Sequence, residues 1–225
     1  MYEICEFTIF EMYKTLRRSF GYLDWWPGES EDEIVIGAIL TQRTSWKNVE
    51  LALDALKNKN MLDIRRMSCA DVLEIEEAIK PSGFYRQKAI KLKNISSYII
   101  DRYGSLKRLF NKDLEELREE LLSINGIGME TADAILLYAA NKRIFVIDAY
   151  TKRIMNRMYG IDSRIKYEDL QKIMENGTKR DIQVYKEFHA QFVELGKRNC
   201  RKQPLCRGCP LEKWCGFRHS VEGTR

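Results

Sequence analysis

Apolar positions recur at helical spacing along most of the chain. Ile9, Met12, Leu16 and Phe20 mark one face of an amphipathic helix within residues 1–24. Trp25-Trp26-Pro27-Gly28 interrupts it, because two adjacent tryptophans beside a Pro-Gly turn do not fit one core stripe. From Ser30 a capping pattern, Ser-Glu-Asp-Glu, leads into the run Ile34–Leu40, which suits a buried helix whose Gly37 and Ala38 permit close approach. Another helix is predicted from about Ser45, then shorter ones over 61–67 and 71–79. Pro81-Ser82-Gly83-Phe84 is a turn into a basic amphipathic helix, and residues 87–110 and 113–122 give two further helices. The apolar run Ile144-Phe145-Val146-Ile147 precedes Asp148, and helical patterns return over 148–159, 167–176 and 181–197. The last contains His189 and Gln191, which read as core or surface positions. The pattern is all-α, without internal repeats or low-complexity linkers.

Composition narrows the class. With 225 residues, 44% hydrophobic and 32% charged, the chain can bury one large core or two modest ones. No stretch approaches ~20 uncharged apolar residues, so no membrane span is expected. The N-terminus lacks the basic start and apolar core of a secretory signal, so a cytoplasmic location is expected. The net charge of +5 is unevenly placed: residues 196–225 carry eight Lys/Arg against two Glu, a surplus of +6, leaving −1 for the rest. That suits a basic module beside a polyanion, or simply a well-solvated terminal module.

Between two helical patterns lies Asn125-Gly126-Ile127-Gly128. Two glycines flanking one aliphatic residue let the backbone turn sharply while Ile127 fills the gap between the helices. Backbone N–H groups at Gly126, Gly128 and the new helix N-terminus can then face a phosphate. The arrangement looks like a helix-hairpin-helix, a clamp on the DNA backbone, although an ordinary helix corner has the same glycines. Twenty residues past Gly128 stands Asp148, opening the next helix.

Hairpin, helix and this Asp together resemble the helix-hairpin-helix DNA glycosylase superfamily, and the resemblance covers nearly the whole chain. It implies a two-lobed all-α fold: a six-helix barrel over 29–142 including the hairpin, and a second helical lobe from 1–28 and 143–225. It implies that Gln42, in Leu-Thr-Gln, enters the duplex beside a displaced nucleotide, and that Phe84 is an apolar wedge into the base stack. Local hydrogen bonding is the plainer reading of Gln42. Trp25, Trp26 and Pro27, with Trp46, would wall a pocket for a flat extruded base; a loop anchored by buried indoles is the alternative for the tandem tryptophans.

Cys200, Cys206, Cys209 and Cys215 form Cys-x5-Cys-x2-Cys-x5-Cys. Four cysteines in sixteen residues, without a secretion signal, argue for metal over disulfides. Zinc commonly uses two Cys-x2-Cys pairs, and only one is present, so a cubane fits the spacing better. The order resembles the iron–sulfur loop of endonuclease III-like glycosylases, with a first gap one residue short, and implies a [4Fe-4S] cluster over 200–215 with a structural role.

Bifunctional endonuclease III-like enzymes carry lysine within Gly-x-Gly-x-Lys-Thr-Ala; here Glu130 takes its place. A carboxylate cannot form an imine, and Lys142 lies roughly 18 Å further along a helix at about 1.5 Å per residue. What remains is hydrolysis in which Asp148 stabilises a cationic sugar and orients water, with Glu130 as a second candidate catalytic group. Alkylated purines leave easily and stack well on tryptophan. The set Trp-Trp-Pro, Leu-Thr-Gln-x-Thr-x-Trp and Gly-x-Gly-x-Glu-Thr-Ala is similar to the 3-methyladenine DNA glycosylases of this branch. The expectation is a monomeric monofunctional glycosylase acting on double-stranded DNA with a damaged base, without membrane partners or β-lyase activity. A mismatch or uracil/thymine glycosylase on the same fold, and a non-catalytic lesion-binding iron–sulfur protein, are the alternatives.

Overall fold

The first helix, α1, spans Ile9–Phe20, shorter than the 1–24 pattern suggests, and its ends explain why. Thr8 and Glu11 form a reciprocal capping box, with Thr8 Oγ1 accepting from the Glu11 amide at 3.2 Å and Glu11 accepting from the Thr8 amide at 2.9 Å. Such a cap contributes about 1 kcal/mol and fixes the start. Gly21, at φ +77°, ends the helix. The computed structural model describes residues 7–24 and 28–222; among them there is no strand, and the fold is all-α.

The chain divides into two units, one of Trp26–Lys142 and the other of Met1–Trp25 with Arg143–Arg225. Trp26–Lys142 contains α2 (Glu31–Leu40), α3 (Trp46–Asn58), α4 (Ile64–Cys69), α5 (Val72–Ile79), α6 (Tyr85–Tyr103), α7 (Leu106–Leu109), α8 (Leu114–Ser123) and α9 (Met129–Ala134), which runs into a π-helical turn over Ile135–Ala139. Helix α2 is the core element, buried at every position from Val35 to Leu40. The single helix expected over 87–110 is instead α6 and α7. Gly104, at φ +72°, closes α6 by donating to the Ile99 and Ile100 carbonyls, and Ser105 caps α7. Helices α8 and α9 are clasped by Arg118, which donates to both carboxylate oxygens of the fully buried Asp133 at 2.7 and 3.2 Å.

The other unit holds α1, α10 (Ala149–Tyr159), α11 (Tyr167–Asn176), α12 (Ile182–Arg198) and α13 (Gly216–Glu222). Helix α1 buries Met12 and Leu16 and packs on α12. Residues 144–147 are buried without being helical. Their backbone groups therefore need partners, and α11 supplies them. Glu175 accepts from the Phe145 amide at 2.9 Å, Gln171 donates to the Phe145 carbonyl at 2.6 Å, and the Tyr167 hydroxyl accepts from the Ile147 amide at 3.1 Å. This bracing sets the position at which Asp148 begins α10. No described helix is long and apolar enough to cross a membrane.

Candidate functional site

In the Trp26–Lys142 unit the hairpin is built on Gly126, whose φ of +93° favours glycine. A Cβ there would also lie 2.5 Å from Cγ of Lys91. Ile124 and Ile127 are buried beneath the turn, while Asn125 and Gly128 are exposed. Gly128 N-caps α9 without a side-chain bond, and the first amides of a helix have no acceptor within the helix itself. A Cβ at Gly128 would meet nothing within 4 Å. Glu130 is exposed in the first turn of α9. Lys142 is engaged elsewhere, donating from Nζ to the Lys112 carbonyl at 2.5 Å.

Gln42 lies against the hairpin. Its amide nitrogen donates to Thr131 Oγ1 at 3.0 Å and toward the Gly126 carbonyl at 3.5 Å, and its oxygen accepts from Lys91 Nζ at 2.5 Å. Phe84, 56% exposed, precedes α6 in a left-handed conformation, φ +48°. Arg43 is also left-handed, φ +55°, and its guanidinium lies 6.0 Å from the centre of the Phe84 ring. A left-handed non-glycine residue costs roughly 1–2 kcal/mol, so both turns are held by their surroundings. Part of that hold is Lys88, 2% exposed, which reaches the Leu40 and Ser82 carbonyls. Burial, helped by the charge of Lys91, lowers its pKa to about 8. Trp46 is half-buried, and its indole N–H donates to Glu50 at 2.9 Å. Trp25, Trp26 and Pro27 lie outside the described residues.

In the other unit, Asp148 N-caps α10. Oδ1 accepts from the Thr151 amide at 2.7 Å and its hydroxyl at 2.8 Å, while Nε2 of the buried His189 stands 3.7 Å from Oδ2. Burial, the largest single influence, opposes the charged form. The His189 ring and the Thr151 donors together outweigh it and hold the carboxyl below the usual carboxylate range. An ionised, oriented carboxylate of this kind can stabilise a neighbouring cation or orient a water. Sequence reasoning reads His189 as an ordinary helical position. It sits 41 residues from Asp148, and its only signal is that α12 turns it, buried, toward the α10 N-terminus. On the same helix Glu187 accepts from the Leu23 amide at 2.9 Å and Gln191 donates to the Gly21 carbonyl at 2.8 Å, fixing the segment just before Trp25.

The four C-terminal cysteines are unpaired and half-buried. Among the described residues no three His, Cys, Asp or Glu side chains stand at metal-ligand spacing. The thiols nevertheless share one neighbourhood: burial pushes Cys209 up to about 11, and Cys200, Cys215 and Cys206 each add to the shift. Arg153 donates to the Cys200 carbonyl at 2.7 Å, and Arg157 to Cys200 Sγ at 3.2 Å and to the Arg201 and Lys202 carbonyls at 2.7 and 3.0 Å. Phe7 stacks on Trp214 at 4.3 Å. Of residues 200–215 only Leu211 is buried, so the loop has almost no core of its own. A set of four thiol donors on such a loop fits a thiophilic metal centre.

The model of the HhH-GPD superfamily base excision DNA repair proteins matches residues 36–180, spanning the hairpin, Asp148 and α11. The chain belongs to that superfamily and is a base excision repair DNA glycosylase of the endonuclease III-like type. MJ1434 of Methanocaldococcus jannaschii, provisionally named a DNA repair glycosylase, is 46% identical over 92% of this chain and 95% of its own. Endonuclease III of Thermotoga maritima is 29% identical over 82% of each chain. The crystal structure of H. pylori 3-methyladenine DNA glycosylase MagIII, bound to 1,N6-ethenoadenine, superposes with a TM-score of 0.77 at 31% identity, covering 85% of this chain and 98% of that one.

Proposed function

We propose that this protein is a monofunctional glycosylase that hydrolyses the N-glycosidic bond of alkylated purines, such as 3-methyladenine, in double-stranded DNA. The observation that carries the reading is the pair Asp148 and Glu130. The first is a carboxylate held ionised by Thr151 and His189. The second stands, exposed, where the lyase lysine of the resembled enzymes would be. The engagement of Lys142 Nζ with the Lys112 carbonyl supports the reading that Lys142 does not replace that amine.

In this mechanism the hairpin amides grip backbone phosphates, Phe84 wedges into the stack and Gln42 takes the space left by the extruded nucleotide. For Gln42 to do so, its bonds to Lys91 and Thr131 must open. The N-glycosidic electrons leave with the base, Asp148 stabilises the cationic sugar and orients the attacking water, and the proton that water loses on bonding to the sugar passes by way of the carboxylate to solvent. A base already cationic from alkylation departs without a strong acid, and the similarity to MagIII supports that substrate class. The tryptophans at 25 and 26 would stack on the extruded ring. Cys200, Cys206, Cys209 and Cys215 would hold a [4Fe-4S] cluster that fixes the 200–215 loop. We place the protein in the cytoplasm, acting as a monomer.

The test is multiple turnover on duplexes carrying single lesions. The expected outcome is release of methylated purine, a strand that breaks only on alkali treatment, and no covalent adduct with borohydride. An efficient borohydride adduct would show a lyase, with Lys152 in the first turn of α10 as the first amine to test. Turnover confined to uracil or thymine mismatches would move the enzyme to the other substrate class.

A further inference from the structure

Two turns of the Trp26–Lys142 unit, one ending α2 and one preceding α6, are joined by a single buried side chain. Lys88 Nζ donates to the Leu40 carbonyl at 2.8 Å and to the Ser82 carbonyl at 2.7 Å. Leu40 is the last residue of α2, two before Gln42. Ser82 ends a 3-10 turn, two residues before Phe84. Both carbonyls belong to helix ends, where the intrahelical acceptor pattern runs out. One ammonium therefore satisfies the ends of two elements from distant parts of the chain, using two of its three donors. On the outer side the Arg43 guanidinium lies 6.0 Å from the centre of the Phe84 ring, each residue in a left-handed backbone conformation. The turns are thus tied within by Lys88, with a cation facing an aromatic ring across their outer side.

We propose that Lys88 is a positioning residue that couples the Gln42 turn to the Phe84 turn, so that the two turns carrying glutamine and wedge meet the duplex as one preset unit. The proposal rests on the reading of Gln42 and Phe84 as inserting residues given above. Ordering the two turns before contact removes the need to order them on DNA. A long apolar residue would fill the same space without holding both carbonyls, so the contribution of lysine is the tie itself.

The experiment uses the full-length protein and a duplex carrying a tetrahydrofuran abasic analogue beside 2-aminopurine, whose fluorescence rises on unstacking. Affinity is compared with that for the undamaged duplex. Phe84→Ala should lower the fluorescence rise and the damaged-to-undamaged affinity ratio by about tenfold. Lys88→Met should lower both by a similar factor, with undamaged-duplex affinity within about twofold, since phosphate contacts are retained. The double variant should be no worse than Phe84→Ala alone, because the two substitutions remove one event. A role confined to fold stability predicts instead a lower melting temperature with discrimination intact in the folded protein, or losses that multiply in the double variant. Either result overturns the coupling. If Lys88→Met does not fold, Lys88→Gln, too short to reach both carbonyls, is read in the same way. Should Phe84→Ala leave both readouts unchanged, the wedge reading falls and this inference with it. An effect of Phe84→Ala alongside a silent Lys88 variant sinks this inference alone.

Discussion

In the proposed mechanism Asp148 carries two tasks that pull the same way. As the α10 cap it must accept hydrogen bonds, and as a cation stabiliser it must stay charged; Thr151 serves both. Asp148→Asn keeps a capping oxygen and removes the charge, so binding to lesion DNA should change little. Single-turnover base release should fall at least ~100-fold, the scale for losing a charge-stabilising group. Full activity in this variant would reduce Asp148 to a cap. The depressed carboxyl also fixes a pH dependence of stability. Its contribution is complete above the unfolded value of about 3.9 and is lost as pH falls through the lower folded value. In urea titrations wild type should therefore lose stability relative to Asp148→Asn only below about pH 4. Asp148 is legible in the sequence because an apolar run, an Asp and a helical pattern follow in order. His189 and Lys88 are not, since a single histidine or lysine in a helix carries no mark of a partner 41 or 48 residues away.

The hairpin separates local from tertiary demands within one element. Its Gly-Ile-Gly pattern is readable because the turn imposes its own residue types, but the two glycines serve different ends. Gly126 is required by its positive φ and by the Lys91 stem packed against it. Gly126→Ala should destabilise the protein by about 1–3 kcal/mol in denaturant melts. Gly128 has an ordinary φ and open space where a Cβ would go. Gly128→Val should leave the melting temperature nearly unchanged and weaken damaged and undamaged duplex equally, since phosphate contacts carry no base information. Loss of affinity for lesion DNA alone would assign the hairpin to base recognition. Arg118→Met, which removes the bidentate partner of the buried Asp133 carboxylate between α8 and α9, should cost about 3 kcal/mol in the same melts. Helix ends leave a weaker mark in the sequence than helices themselves. The break between α6 and α7 rests on one Gly-Ser pair at 104–105, and the hydrophobic period passes through it unaltered. At the start of α1, the box between Thr8 and Glu11 sets the boundary, where periodicity alone extends the helix upstream.

At the scale of the whole molecule, positive charge and thiol chemistry fall in the same C-terminal segment. Residues 196–225 carry +6 while the rest of the chain is close to neutral. A loop with one buried residue between 200 and 215 cannot hold that charge in place through hydrophobic burial. The bonds from Arg153 and Arg157 tether its first residues, and Phe7 on Trp214 steadies its last. Between them, cross-linking through four thiolates would do what a core does elsewhere, since metal-binding free energy is folding free energy for such a segment. Protein prepared without oxygen should therefore be brown and contain four irons per chain. Trypsin should spare Arg201, Lys202 and Arg207 in that form and cut there first once iron is removed. Affinity for undamaged duplex at low salt should fall with the iron, and the slope of log affinity against log salt should become shallower, because fewer phosphates are neutralised together. A colourless protein with one zinc would replace the cluster with a simple tetrathiolate site. Equal trypsin resistance with and without metal would show that the arginine bonds alone hold the loop.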